Sequence, residues 1–158
     1  MTIGLAGERA LLEQMVDRQR AEIVAILDTL DETEARAELV PSLTTPLGLV
    51  KHATFVEKVW FHSRIAGVSC DELGLPATVD PSFRLDDSDT IETIRTAYLA
   101  ACEHSRSVAA AHHLDAEFDW RGTPISLRFV YAHMIQELAR HAGHGDILVE
   151  QLQAAREV

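Results

Sequence analysis

Cysteine, positive charge, proline, glycine and aromatic side chains are all scarce in this sequence. The two cysteines, Cys70 and Cys102, lie far apart and form no CxxC pair. That argues against a disulfide framework and against a cysteine-built zinc or redox motif. Only 14 Lys and Arg stand against 25 Asp and Glu, a net charge of -11. Such a surface repels phosphates, which excludes nucleic acid as the expected partner. No run of 18 apolar residues occurs, and no basic stretch leads into an apolar one at the start. No membrane span or secretion signal is therefore expected, and the chain reads as soluble and cytoplasmic. Eight Gly and five Pro are few for a turn-rich β protein. What is abundant is Ala, Leu, Val and Glu, which favours an all-α fold. The length, 158 residues, fits one domain, 1-158, with a real core.

Four helices account for most of the chain. Leu5 to Leu30 keeps helical periodicity through Leu11, Leu12, Met15, Ile23, Ile26, Leu27 and Leu30, with Arg18, Arg20 and Glu22 among the residues of its wet face. Thr45-Pro46 starts the second helix as cap and first residue, and Gly67 ends it. Ser88 or Asp89 caps the third, which runs from about Thr90 to His112. Ser126 or Thr123 starts the last, which reaches about Ala155. Two connections are long. Val68 to Ser88 is a candidate lid or rim, because long loops in compact domains often carry function. Leu114 to Ser126 reads as a loop in which Trp120 plugs the core. The whole is a four-helix bundle.

The informative residues are polar ones on apolar faces. The stripe Val130, Met134, Glu137, His141, His144, Leu148 follows one face of the last helix. Its ends are apolar and its middle is not. Glu137 and His141 are four apart, the spacing that lets two helical side chains grip one metal ion. On the second helix His52 lies on the stripe Leu49, His52, Val56, Val59, Ser63. A hydrogen-bonded core histidine is the competing reading for each imidazole alone. Together His52, Glu137 and His141 make a two-His, one-carboxylate set with coordination positions left open. Zinc, nickel, iron or manganese all suit it. His133, eight residues before His141, is about 12 Å away along the axis and cannot share an ion with it. His144 could replace Glu137 as partner of His141, but reads better as a pocket residue beside the open position. His104, His112 and His113 read as solvated.

The segments TPLGLVKHATFVEKVWF and HMIQELARHAGHGDILVEQL resemble the DinB-like superfamily. They are most similar to the actinobacterial branch that also contains mycothiol-dependent maleylpyruvate isomerase. The resemblance spans the first helix to the last. It implies an up-down-down-up bundle, often dimeric, whose metal ligands correspond to His52, Glu137 and His141. Many relatives have His where this chain has Glu137, and the isomerase-like branch has Glu. The C-terminal domain that accompanies the isomerase core has no counterpart in this sequence, so the resemblance implies the bundle's chemistry rather than that isomerisation. The expected function is a metal-dependent S-transferase or isomerase using a low-molecular-weight thiol, mycothiol above all, on a small electrophile. His144 would move the proton. A metal-dependent hydrolase and a non-catalytic metal-binding or dimerisation bundle are the alternatives. A homodimer is expected, with Phe55, Trp60 or Phe61 as contacts.

Overall fold

The computed structural model describes residues 6–156. Its elements are α1 (Glu8–Ala25), α2 (Glu32–Ala35), α3 (Pro46–Glu57), a π-helical continuation of α3 (Lys58–Ile65), a 3₁₀ turn (Asp80–Phe83), α4 (Ile91–Ala110), β1 (Glu117–Trp120), β2 (Thr123–Ser126) and α5 (Leu127–Arg156). Leu5, the expected start of the first helix, lies outside the described residues. No helix among the described residues is long and apolar enough to cross a membrane.

The bundle is all-α and up-down-down-up, as side-chain pairings between helices establish. Glu8 pairs with Arg128 and Thr29 meets Gln153, so α1 and α5 run parallel. Asp17 pairs with Arg106 and Asp28 with Arg95, so α4 runs against α1. His52 faces His141 while Trp60 faces His133, so α3 runs against α5. The core between them holds Ile23, Leu27, Leu49, Phe61, Tyr98, Leu127, Met134 and Leu138. Where α1 and α5 cross, a Cβ on Gly145 would sit 2.3 Å from Ile26. Any larger residue there would force the Ile26 side chain to move.

The ends of the helices follow their sequence signals with one exception. Thr45 Oγ1 accepts from the Gly48 amide, Pro46 opens α3, and Gly67 takes φ 77. The cap of α4 is Thr90, in a reciprocal pairing with Thr93, not Ser88 or Asp89. Asp89 is instead drawn to Lys51, at 2.5 Å. At the head of α5, Ser126 Oγ accepts from the Phe129 amide.

Three expectations need correction. The segment read as a loop holds a β-hairpin, with Glu117 opposite Ser126 and Trp120 opposite Thr123. Its turn is Arg121-Gly122, both at positive φ (55° and 81°). Asn or Asp normally stands where Arg121 does, which hid the turn. An arginine in that conformation costs roughly 1–2 kcal/mol. Arg20 is not on the wet face: it is buried and grips Glu57 through two bonds of 2.8 Å. Finally, the second helix does not keep its 3.6 period. After Glu57 it winds as a π-helix, and Phe61, His62 and Ile65 turn inward where Val59 and Ser63 were expected. Trp60 and Phe61 are therefore buried and cannot supply a dimer contact.

Candidate metal centre

His52, Glu137 and His141 converge. Each offers one ligand atom, and the three atoms lie within 4.8 Å of one another. Glu137 Oε1 is 3.1 Å from His141 Nε2 and 3.7 Å from His52 Nε2. Ligands about 2.1 Å from a tetrahedral ion stand roughly 3.4 Å apart, so the set needs only small adjustments to close on one. His52 side-chain exposure is 3%, His141 12% and Glu137 22%. The site is walled on one side and reaches solvent at Glu137.

His52 comes from α3, and the 3₁₀ turn Asp80–Phe83 fixes its orientation. Ser82 Oγ donates its one proton to the Val79 carbonyl, at 2.5 Å. It can then only accept, so the 2.7 Å contact with His52 Nδ1 is a bond donated by the imidazole. That places the proton on Nδ1 and leaves the Nε2 lone pair facing Glu137, the tautomer a metal ligand needs. Phe83 stacks on the His52 ring at 3.9 Å and 12°, and Phe55 stacks on it at 5.9 Å. The turn reaches this position because residue 48 is glycine: a Cβ there would meet Phe83 O at 2.7 Å and Thr45 Oγ1 at 2.8 Å.

Electrostatics complete the donor set. The hydrogen bond with His141 comes first, and the nearby His52 ring adds to it, in holding the Glu137 carboxyl far below the ordinary carboxylate range. Burial pushes the His52 pKa down, only partly countered by Glu137. Near neutral pH the pair is thus carboxylate and neutral imidazole, the forms that bind a cation. His141 Nδ1 is buried without a hydrogen-bond partner. The residues fit a divalent ion.

The site opens into a cleft of about 510 Å³. His52, Phe55 and Glu137 line its inner end. Trp60, Arg64, Cys70, Trp120 and Arg121 line its outer end, and Pro76–Val79 form a rim. The segment read as a lid or rim thus touches the site twice, through Ser82 and through residues 76–79. Trp120 is half-buried, 5.5 Å from Trp60, and lines the cleft mouth as well as covering the core. His144 is exposed, its ring 5.6 Å from that of His141, so the outer end of the expected stripe faces water. His133 packs against Trp60 at 4.1 Å and takes no part in the triad. His104 and His113 are exposed, and His112 is half-buried against Phe118. His62 drew no attention in the sequence. It is buried and lies 3.2 Å from both the Ala101 carbonyl and Ser105 Oγ.

The family model described as mycothiol-S-transferase matches residues 11–154. Among solved structures, a DinB-like protein from Bacillus cereus ATCC 10987 is similar in fold, with a TM-score of 0.65. The match covers 90% of this chain and 91% of that one at 16% identity. No curated protein matches.

Proposed function

The chain belongs to the mycothiol-S-transferase family of DinB-like bundles, and from that premise we propose that it transfers a low-molecular-weight thiol, mycothiol in the first place, to a small electrophile in the cleft beside His52, Glu137 and His141. The observation that carries the reading is the convergence of these three side chains at one end of an open cleft. His52, Glu137 and His141 would hold one divalent ion, with zinc the first candidate. When bound, such an ion supplies a Lewis acid that lowers the pKa of a thiol.

The chain's own residues do the rest. Ser82 and Phe83 lock the His52 ring so that one nitrogen faces the site. The Trp60 and Trp120 rings close the outer cleft around an apolar electrophile. In the transfer the thiol sulfur forms a bond to the electrophilic carbon, and the leaving group departs with its electron pair. We assign the released thiol proton to His144, which borders His141 from the solvent side.

The test is a screen of mycothiol against alkyl and aryl electrophiles with zinc-loaded protein. Conjugate formation that stops on chelation and in His52→Ala supports the proposal. Turnover of ester or amide substrates without thiol, and none with it, overturns it in favour of a hydrolase. In His144→Gln metal content is expected to stay and turnover to fall, by roughly 10²-fold or more if the proton transfer is general acid–base catalysis.

A further inference from the structure

The outer end of the cleft carries two guanidinium groups and, among the described residues, no carboxylate paired with either. Several arginines elsewhere are held by acids. Arg20 takes Asp17 and Glu57, Arg106 takes Asp17 and Glu103, and Arg128 takes Glu8 and Asp115. Arg64 makes no ion pair. Its Nη1 is buried and has no hydrogen-bond partner. Its guanidinium lies 3.9 Å above the Trp60 ring and 5.7 Å from that of Trp120. Stacking satisfies the face of a guanidinium and leaves its edge, the N–H fork, free to donate. Burial and then the charge of nearby Arg121 both act against the Arg64 cation.

Arg121 itself stands at φ 55 in the hairpin turn, where a residue other than glycine is strained. That conformation brings a second positive side chain to the same wall. In a chain with 25 acidic residues, two unpaired arginines side by side are a local inversion of charge. The inner end of the cleft, by contrast, holds His52 and Glu137 of the metal-ligand set. We propose that Arg64, with Arg121 behind it, binds a carboxylate of the electrophile, so that the substrate class is a small organic acid whose apolar body lies between Trp60 and Trp120. This rests on the transferase reading for the word electrophile, and on the cleft alone for the carboxylate.

The chain's two tryptophans, Trp60 and Trp120, both line this end, so intrinsic fluorescence reports on it directly. Zinc-loaded protein is titrated with benzoate and with the neutral isostere benzamide. Benzoate is expected to change the fluorescence and to bind at least about tenfold more tightly than benzamide. Arg64→Gln is expected to erase that preference, and Arg64→Lys to restore only part of it, since lysine lacks the fork. Arg121→Gln, an exposed position, is expected to weaken benzoate severalfold; it carries the test should Arg64→Gln fail to fold. Benzoate binding that survives in His52→Ala supports the arginine site. Binding lost in His52→Ala but kept in Arg64→Gln would place the carboxylate on the ion and overturn the proposal. Equal affinity for benzoate and benzamide would overturn it too.

A second arm uses 4-(bromomethyl)benzoate and its methyl ester as electrophiles with mycothiol, in a Cys70→Ser background so that the exposed thiol does not react. The kcat/KM preference for the acid is expected to vanish in Arg64→Gln through KM. Benzoate binding without any thiol transfer would sink the proposed function and leave this site standing. Transfer indifferent to the carboxylate would do the reverse.

Discussion

Ser82 decides what His52 can do, because its hydroxyl proton is committed to Val79 and its lone pair takes the imidazole proton. Ser82→Ala is therefore expected to keep the fold and lose about 10- to 100-fold in metal affinity, measured by competition with a chromogenic chelator. The triad itself was legible in the sequence, because Glu137 and His141 stand one helical turn apart and His52 interrupts an apolar stripe. Ser82 was not, since 30 residues separate it from His52 and only the tertiary fold joins them. Arg20 was misread for the same reason. A charged residue looks solvent-facing until its partner is known, and Glu57 lies 37 positions away. Breaking that buried pair by Glu57→Ala is expected to cost roughly 3 kcal/mol in denaturant unfolding, since Arg20 is left buried with only the half-exposed Asp17 as its partner. Acid sensitivity also belongs to single residues. Burial pushes the pKa of His52, His62 and His133 down in the folded chain. The unfolded chain then binds more protons below about pH 6.5, the ordinary histidine value. Stability of the metal-free protein is expected to be full above that pH and to fall as pH drops through it toward 5. Denaturant midpoints that do not move between pH 7 and pH 5 would contradict this.

At the level of elements, the π-helical stretch Lys58–Ile65 sets the shape of the cleft. It follows α3 without a break and carries Trp60, Phe61 and His62 inward, while Arg64 stays at the cleft wall. Helical periodicity cannot foresee such a segment, because a wider turn rotates every later side chain. The hairpin was hidden for a different reason. Its strands are four residues each, one contains Pro124, and its turn uses arginine at a left-handed position. The cap signals, by contrast, are local chemistry, and Thr45, Pro46 and Gly67 were readable at once. Between α3 and the 3₁₀ turn the fit is tight at Gly48. Gly48→Ala is expected to push the turn off α3, at a cost of about 1–3 kcal/mol by the usual penalty of overpacking. Metal affinity should fall with it, because Ser82 and Phe83 move together. A variant with wild-type stability and wild-type metal affinity would show that the turn does not position His52.

For the whole molecule, the four-helix bundle was visible from composition and periodicity, and the antiparallel register of α3 and α5 is what brings position 52 to positions 137 and 141. We propose that the chain forms a homodimer through a surface that does not include Trp60 or Phe61. Those two are buried, whereas Phe55 is half-buried. Light scattering that finds a monomer at micromolar concentration would refute the dimer. An ion that binds only the folded chain must also stabilise it, by about 2.7 kcal/mol at a hundredfold excess over Kd. A rise in Tm with zinc is thus expected in the wild type and absent in His52→Ala. The most direct test is the metal content of protein purified without an affinity tag, measured by elemental analysis. About one divalent ion per chain is expected, as for a single three-ligand site. Occupancy should collapse in His52→Ala, Glu137→Ala and His141→Ala, and stay in His144→Gln. Full occupancy in all three alanine variants would contradict the assignment, as would loss in His144→Gln with retention in Glu137→Gln.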